Sequence, residues 1–185
     1  LSSASQYLTF SNNTHEIGTL GLLGYLWSEF EVSVDPDAPD GAAIAEFDYT
    51  LTSGAFIETA QFSKKIGLIV EDWETGDFSK FDWDLGDDDP FEISNIYPFE
   101  GSYSAKSGSI GDNQMSLVEI DVEVMLADSV TFYYKASSQT GKDKLKFYID
   151  NSLKGEWSGM ESVWHRVAFA VNPGNHNFKW VYEKD

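Results

Sequence analysis

Hydrophobic and polar residues alternate along much of this chain with a period of two, the pattern of strands that bury one face. Phe30, Val32 and Val34 alternate with Glu29, Glu31 and Ser33, and Ala45, Phe47, Tyr49 and Leu51 alternate with Glu46, Asp48 and Thr50. Between the two runs, Asp35-Pro36-Asp37-Ala38-Pro39-Asp40-Gly41 carries two prolines and a closing glycine, which predicts a loop. Thr52-Ser53-Gly54 turns the second run into a further strand over Phe56–Phe62. Weaker strands are predicted near Tyr7–Phe10 and Glu16–Leu20, so residues 1–67 read as a small sandwich.

A second set of strands follows. Val130, Phe132 and Tyr134 alternate with Thr131, Tyr133 and Lys135, and Leu145, Phe147 and Ile149 alternate with Lys146, Tyr148 and Asp150. Asp150-Asn151-Ser152 supplies turn chemistry before a short strand that ends at Trp157. Val167, Phe169 and Val171 form an inward row, Asn172-Pro173-Gly174-Asn175 makes a tight connection, and Phe178, Trp180 and Tyr182 mark the last strand. Helical periodicity is almost absent. The predicted fold class is therefore all-β, with short strands and regular turn signals that mean sandwiches rather than an α/β fold. Lys64-Lys65-Ile66-Gly67 is the expected boundary, giving modules over 1–67 and 68–185.

Just past that boundary lies the densest stretch of the chain, Glu71-Asp72-Trp73-Glu74-Thr75-Gly76-Asp77-Phe78-Ser79-Lys80-Phe81-Asp82-Trp83, where acids interleave with aromatics around one glycine. The whole chain of 185 residues is acidic as well, with 31 acidic against 12 basic residues and a net charge of -19. Such a surface repels phosphate backbones and anionic lipid, which disfavours nucleic-acid binding and membrane docking. No apolar run approaches the roughly 20 residues of a membrane helix. A hydrophobic fraction of 42% with 15% aromatics is ample for packed cores. The absence of cysteine removes disulfides, thiolate metal sites and cysteine nucleophiles together. Leu1-Ser2-Ser3-Ala4-Ser5 shows no charged-then-apolar order, so no signal peptide is expected here, and the abrupt ends read as those of a piece of something larger or of a processed product.

Several separated motifs carry a resemblance. They are Glu71–Gly76, Glu100-Gly101-Ser102-Tyr103-Ser104-Ala105-Lys106-Ser107-Gly108, Val130-Thr131-Phe132-Tyr133-Tyr134-Lys135 and the closing run Gly174–Asp185. In that order they are similar to the jelly-roll modules of secreted and surface proteins of Bacteroidetes-type bacteria, related to cleaved-adhesin and MAM-like sandwiches. Val32–Asp35 through Pro39-Asp40-Gly41, followed by Phe47–Thr52, resembles the Ig-like modules found after gingipain-type peptidase domains. The resemblance implies an Ig-like β-sandwich followed by a jelly-roll β-sandwich, in an extracellular or bacterial cell-surface setting beside other domains of a parent protein. Relatives usually continue past Trp180–Asp185 into one more strand. The expectation is that the fold closes differently, or that strand exchange with a neighbouring chain or a further segment supplies that strand, an unpaired edge there being a natural site for strand addition.

The same resemblance implies Ca²⁺, held by a glutamate near the first strand and by carbonyls of a glycine-containing turn. The matching positions are Asp72, Glu74 and the turn Glu100-Gly101-Ser102. Ca²⁺ takes six to eight oxygens from carboxylates and turn carbonyls, whereas the ordinary alternative is a set of solvated acids. Asp87-Asp88-Asp89 lacks the spacing of a calcium loop and reads as solvated.

Flat apolar ring faces stack on sugars. Trp83, Trp157 and Trp164 fall at strand ends or loops, where a ligand platform can form, while Trp73 and Trp180 are expected within strands and in the core. A platform needs at least two of them exposed on one face. His15, His165 and His176 show no metal-ligand spacing, although His165 and His176 can face each other across a hairpin. Asn12-Asn13-Thr14 fits the glycosylation pattern. No nucleophile elbow, phosphate-cradling loop or dinucleotide fingerprint occurs, and with so many acids a glycosidase-like pair can always be found on paper. The expected function is therefore non-catalytic: adhesion to a host or matrix protein or polysaccharide. Two alternatives stay open, a carbohydrate-binding module and a stalk or filament subunit completed by a donated strand.

Overall fold

In the computed structural model, residues 1–19, 24–35, 38, 43–86 and 89–185 are described, and every regular element among them is a β-strand. No helix among them is long and apolar enough to cross a membrane. The chain forms two compact units, Leu1–Ile69 and Val70–Asp185.

The first unit holds β1 (Ser2–Ser3), β2 (Leu8–Phe10), β3 (Val32–Val34), β4 (Ala43–Ser53) and β5 (Phe56–Ile66). β4 and β5 form a hairpin of eleven paired positions, in a sheet of order β1-β4-β5. Gly54 turns it at φ 60, the positive φ that a glycine-first two-residue hairpin loop requires. The alternation of β4 puts Ala45 and Phe47 inward, where they join Ile66 in a small core. Leu8, Phe10 and Val32 of the β2–β3 pair cover it from the other side. The strand expected at Glu16–Leu20 does not form over 16–19, and Leu20 lies outside the described residues. Gly18 sits there at φ 70, a left-handed conformation that breaks an extended run. The loop at 35–41 lies largely outside the described residues.

The second unit holds β6 (Glu92–Ser94), β7 (Ser104–Lys106), β8 (Met115–Val124), β9 (Asp128–Tyr134), β10 (Lys144–Ile149), β11 (Ser152–Trp157), β12 (His165–Val171) and β13 (Gly174–Glu183). A four-stranded antiparallel sheet of order β11-β10-β13-β8 contributes Ile120, Phe147, Ile149 and Phe178 to one core. The antiparallel β9–β12 pair contributes Val171 and packs Val130, Phe132 and Phe169 against them. Two sheets thus share one apolar layer, which is a sandwich. The long strand β8 answers to no predicted strand, although Val118, Ile120, Val122 and Val124 alternate there with Glu119, Asp121 and Glu123.

Candidate functional site

The acidic, aromatic stretch 71–83 is a run of turns and not a strand. Its acids are spent on holding it shut. Glu71 accepts hydrogen bonds from the Trp73 amide (2.9 Å) and the Trp83 indole N–H (3.0 Å). Asp72 accepts from Lys80 Nζ at 2.9 Å, which with the Glu74 amide holds its carboxyl below the usual range. Asp77 accepts from the Ser79 hydroxyl and amide, with the same effect. Trp73, at φ 63 and outside any strand, contacts Phe78 and Trp83, and Trp83 meets Trp180 edge-on at 6.0 Å. The carboxylates tie down the rim of an aromatic plug seated on the main core.

The residues expected to hold Ca²⁺ come together only in part. Glu74 Oε1 accepts from the amides of Ser102 (2.8 Å) and Tyr103 (3.1 Å), so the carboxylate itself joins this loop to the Gly101 turn. Gly101 is required there, because its φ is 62 and a Cβ would overlap the Glu74 carboxylate. The turn offers Glu74 its N–H donors, not carbonyl oxygens, and Asp72 is turned to Lys80 while Glu100 is exposed. Among the described residues no three acidic or histidine side chains converge as metal ligands do. As placed, Asp72, Glu74 and Glu100-Gly101-Ser102 do not fit a calcium shell. Of Asp87-Asp88-Asp89, the first two lie outside the described residues.

The three tryptophans also part company. Trp83 is half-buried in the plug. Trp157 is stacked on Tyr134 at 4.3 Å, meets Phe132 edge-on, and lies over Gly155, where a Cβ would come within 2.6 Å of its ring. Trp157 is thus partly buried and packed against the core. Trp164 alone belongs to an exposed group. Its ring meets the edge of Phe99 at 6.2 Å, and Phe99 stacks on Tyr133 at 3.7 Å and 15°. Tyr97 stands beside them with the Lys135 ammonium 5.6 Å over its ring. Tyr97, Phe99 and Tyr133 are 78%, 46% and 40% exposed.

This aromatic group covers the outer face of the β9–β12 pair. Val130, Phe132 and Tyr134 turn inward, so Thr131 and Tyr133 face out. Arg166 lies directly opposite Tyr133 and is exposed on that same face. Tyr97 reaches the group from a left-handed backbone, φ 55, immediately before Pro98. A bulky residue in that conformation costs about 1–3 kcal/mol and is kept where surrounding structure dictates it. Six of the second unit's lysines form ion pairs with carboxylates: Lys80, Lys106, Lys142, Lys144, Lys146 and Lys179. Lys179 lies 2.9 Å from Glu119 Oε2 in an ion pair without hydrogen-bond geometry. Arg166, Lys135, Lys154 and Lys184 form no ion pair among the described residues, and of these Arg166 and Lys135 belong to the aromatic face. Sequence pattern placed Tyr133 and Lys135 in the same outward row, but nothing in it marked Tyr97, Phe99 or Arg166 as their neighbours.

The histidines do not face each other, since β12 and β13 belong to different sheets. His165 bonds Glu161 at 2.9 Å. His176 Nδ1 lies 2.7 Å from Asp150, and Nε2 lies 2.9 Å from the Asn172 carbonyl. Two acceptors at the two ring nitrogens favour the imidazolium, so its pKa is raised, chiefly by Asp150. Asp150 is correspondingly lowered, first by the Asn177 amide and then by His176. Beside this pair runs a shallow, open groove lined by Asp121, Glu123, Asn175 and Asn177.

No family model matches the chain, and no curated protein matches its sequence. Among solved structures it is similar to the secreted serine protease VesC from Vibrio cholerae, at 11% identity and a TM-score of 0.38, over 96% of this chain and 36% of that one. It is also similar to the CBM51-2 and INT domains of ZmpB from Clostridium perfringens, at 15% identity and a TM-score of 0.34, over 80% of this chain and 35% of that one. The same domains in complex with GlcNAc give 16% identity and a TM-score of 0.36, with the same coverage. The chain thus spans about a third of the length of these structures.

Proposed function

We propose that this chain is a non-catalytic binding segment of a larger extracellular bacterial protein, an Ig-like unit followed by a jelly-roll unit, and that the second unit takes acidic carbohydrate on its Tyr97–Phe99–Tyr133–Trp164 face. The observation that carries this is the exposure of three aromatic rings on one sheet face next to two cations without carboxylate partners. A pyranose ring presents a flat patch of C–H groups that stacks on such rings. A carboxylate or sulfate on the sugar gives Arg166 a planar, bidentate partner and Lys135 a point charge. The net charge of -19 disfavours acidic ligands on the surface at large, so local cations are needed to take one.

Retention on immobilised polysaccharides, followed by calorimetry on the oligosaccharides that bind, tests the reading. Tyr133→Ala is expected to weaken binding about tenfold or more, since stacked rings contribute on the order of 1–3 kcal/mol in comparable flat contacts. Arg166→Gln is expected to remove the preference for uronate or sulfated sugars over neutral ones. The absence of retention on any glycan, or binding that ignores Tyr133→Ala, would refute the site.

A further inference from the structure

The sheet order β1-β4-β5 leaves one long edge of β5 without a partner strand among the described residues. Every side chain from Phe56 to Lys65 is exposed, and only Ile66 is buried. Proteins usually blunt such an edge with proline, a bulge, or charges on its core-side face. β5 has no proline and no register shift against β4 through eleven pairs. It does carry Glu58 and Lys64, and both lie on the core-side face, because Phe62 and Ile66 share their parity. Those two charges repel a foreign apolar strand. They also make β5 complementary to itself.

We infer that β5 pairs antiparallel with β5 of a second copy of this chain, about a two-fold axis at Gln61. Turned around Gln61, the strand Phe56–Ile66 meets its own sequence in reverse. On the core-side face Phe56 falls opposite Ile66, Glu58 opposite Lys64, and Ala60 opposite Phe62. On the other face Thr59 falls opposite Ser63 and Ile57 opposite Lys65. Each charge pair occurs twice because the contact is isologous, and opposite charges, small-against-large and hydroxyl pairs are the cross-strand combinations that stabilise a ladder. A slip of two residues sets Glu58 against Phe62, or Lys64 against Ala60. A slip of one turns the two core-side faces to opposite sides of the joined sheet. Only one register satisfies charge and face together, and the sheet it makes continues through both copies.

The test is sedimentation velocity and native mass spectrometry of the whole chain over a range of concentrations. A concentration-dependent dimer is expected. Glu58→Lys sets like charges opposite each other twice and is expected to weaken the dimer about tenfold or more. Combining it with Lys64→Glu restores opposite pairs and is expected to restore the dimer. Both positions are exposed, so at concentrations low enough for every form to be monomeric the melting curves of the variants should match the unaltered chain. Since the chain has no cysteine, a Gln61→Cys variant is expected to cross-link to its copy on mild oxidation, at a spacing that paired strands provide. A chain that stays monomeric at every concentration, or a dimer indifferent to Glu58→Lys, overturns the inference.

Discussion

Both units of this chain use strands that alternate apolar and polar residues, yet they bury them to different depths. In the second unit, Phe147 is wholly enclosed, at 0% exposure, with Phe132, Phe169, Phe178 and Trp180 around its ring. In the first, the core is Ala45, Phe47 and Ile66, and β5 shows its side chains to solvent along ten of eleven positions. Phe62 finds one ring partner, Phe47, at 5.0 Å. Alternation fixes which residues share a face. Whether that face is covered depends on a second layer: the second unit lays paired strands across the full width of its sheet, while the first covers chiefly β4.

The sharpest challenge to this contrast is to truncate a phenylalanine in each unit. Phe147→Ala is expected to destabilise the second unit by about 3–5 kcal/mol, through lost contacts and an unfilled cavity. Phe56→Ala, at a ring 55% exposed, is expected to change the first by about 0.5 kcal/mol or less. Denaturant melts with hydrogen exchange resolved to the β4–β5 and β10–β13 amides read the two units separately, and equal costs would erase the distinction. A tight core should also reject added volume. Gly155→Ala brings a methyl within 2.6 Å of Trp157 and is expected to cost about 1–3 kcal/mol, whereas Ala60→Val on the open β5 is expected to be nearly neutral.

Two smaller effects probe the polar fastenings of the second unit. Glu74→Ala removes the acceptor of the Ser102 and Tyr103 amides and is expected to cost about 1 kcal/mol, discounted for exposure. Chelator is expected to leave the melting temperature of the unaltered chain unchanged, because the carboxylate makes that link by itself. A melting temperature that rises with Ca²⁺ would return a cation to the turn. The smallest effect is pH-dependent. His176 has a folded pKa raised above its ordinary 6.5, so its pairing stabilises fully below about pH 6.5 and fades as pH rises through the folded value. Asp150 is lowered from 3.8, so its share is present above that value and fades as pH falls through the folded one. His176→Gln should therefore lose most between about pH 4 and 6.5 and least above neutrality, and a loss constant with pH would break the assignment.

Much of the architecture was legible. Rows such as Val130-Phe132-Tyr134 and Phe178-Trp180-Tyr182 became the inward faces of β9 and β13. β5 ran past the expected Phe62 to Ile66, through Lys64 and Lys65, because backbone ladder bonds and not side chains carry a strand to its end. Side-chain destination was far less legible. Trp157 and Trp164 both sit near strand ends, and the difference between a covered ring and an exposed one lies in Tyr134, Gly155 and Phe99, which only the fold brings near. Asp72 and Glu74 suggested a shared ion, but each found hydrogen-bond donors of its own, Asp72 in Lys80 and the Glu74 amide, Glu74 in the amides of Ser102 and Tyr103. Carboxylates bond readily to the amide two residues on, as Glu71, Asp72 and Asp77 do here.

The plug at 71–83 also gives the molecule a built-in optical signal. Trp73 and Trp83 lie 5.2 Å apart at a 34° tilt, and Trp83 lies 6.0 Å from Trp180. At such separations indole transition dipoles couple, and no disulfide absorbs in the same band. Near-ultraviolet circular dichroism should therefore report whether this segment is seated, with no label attached.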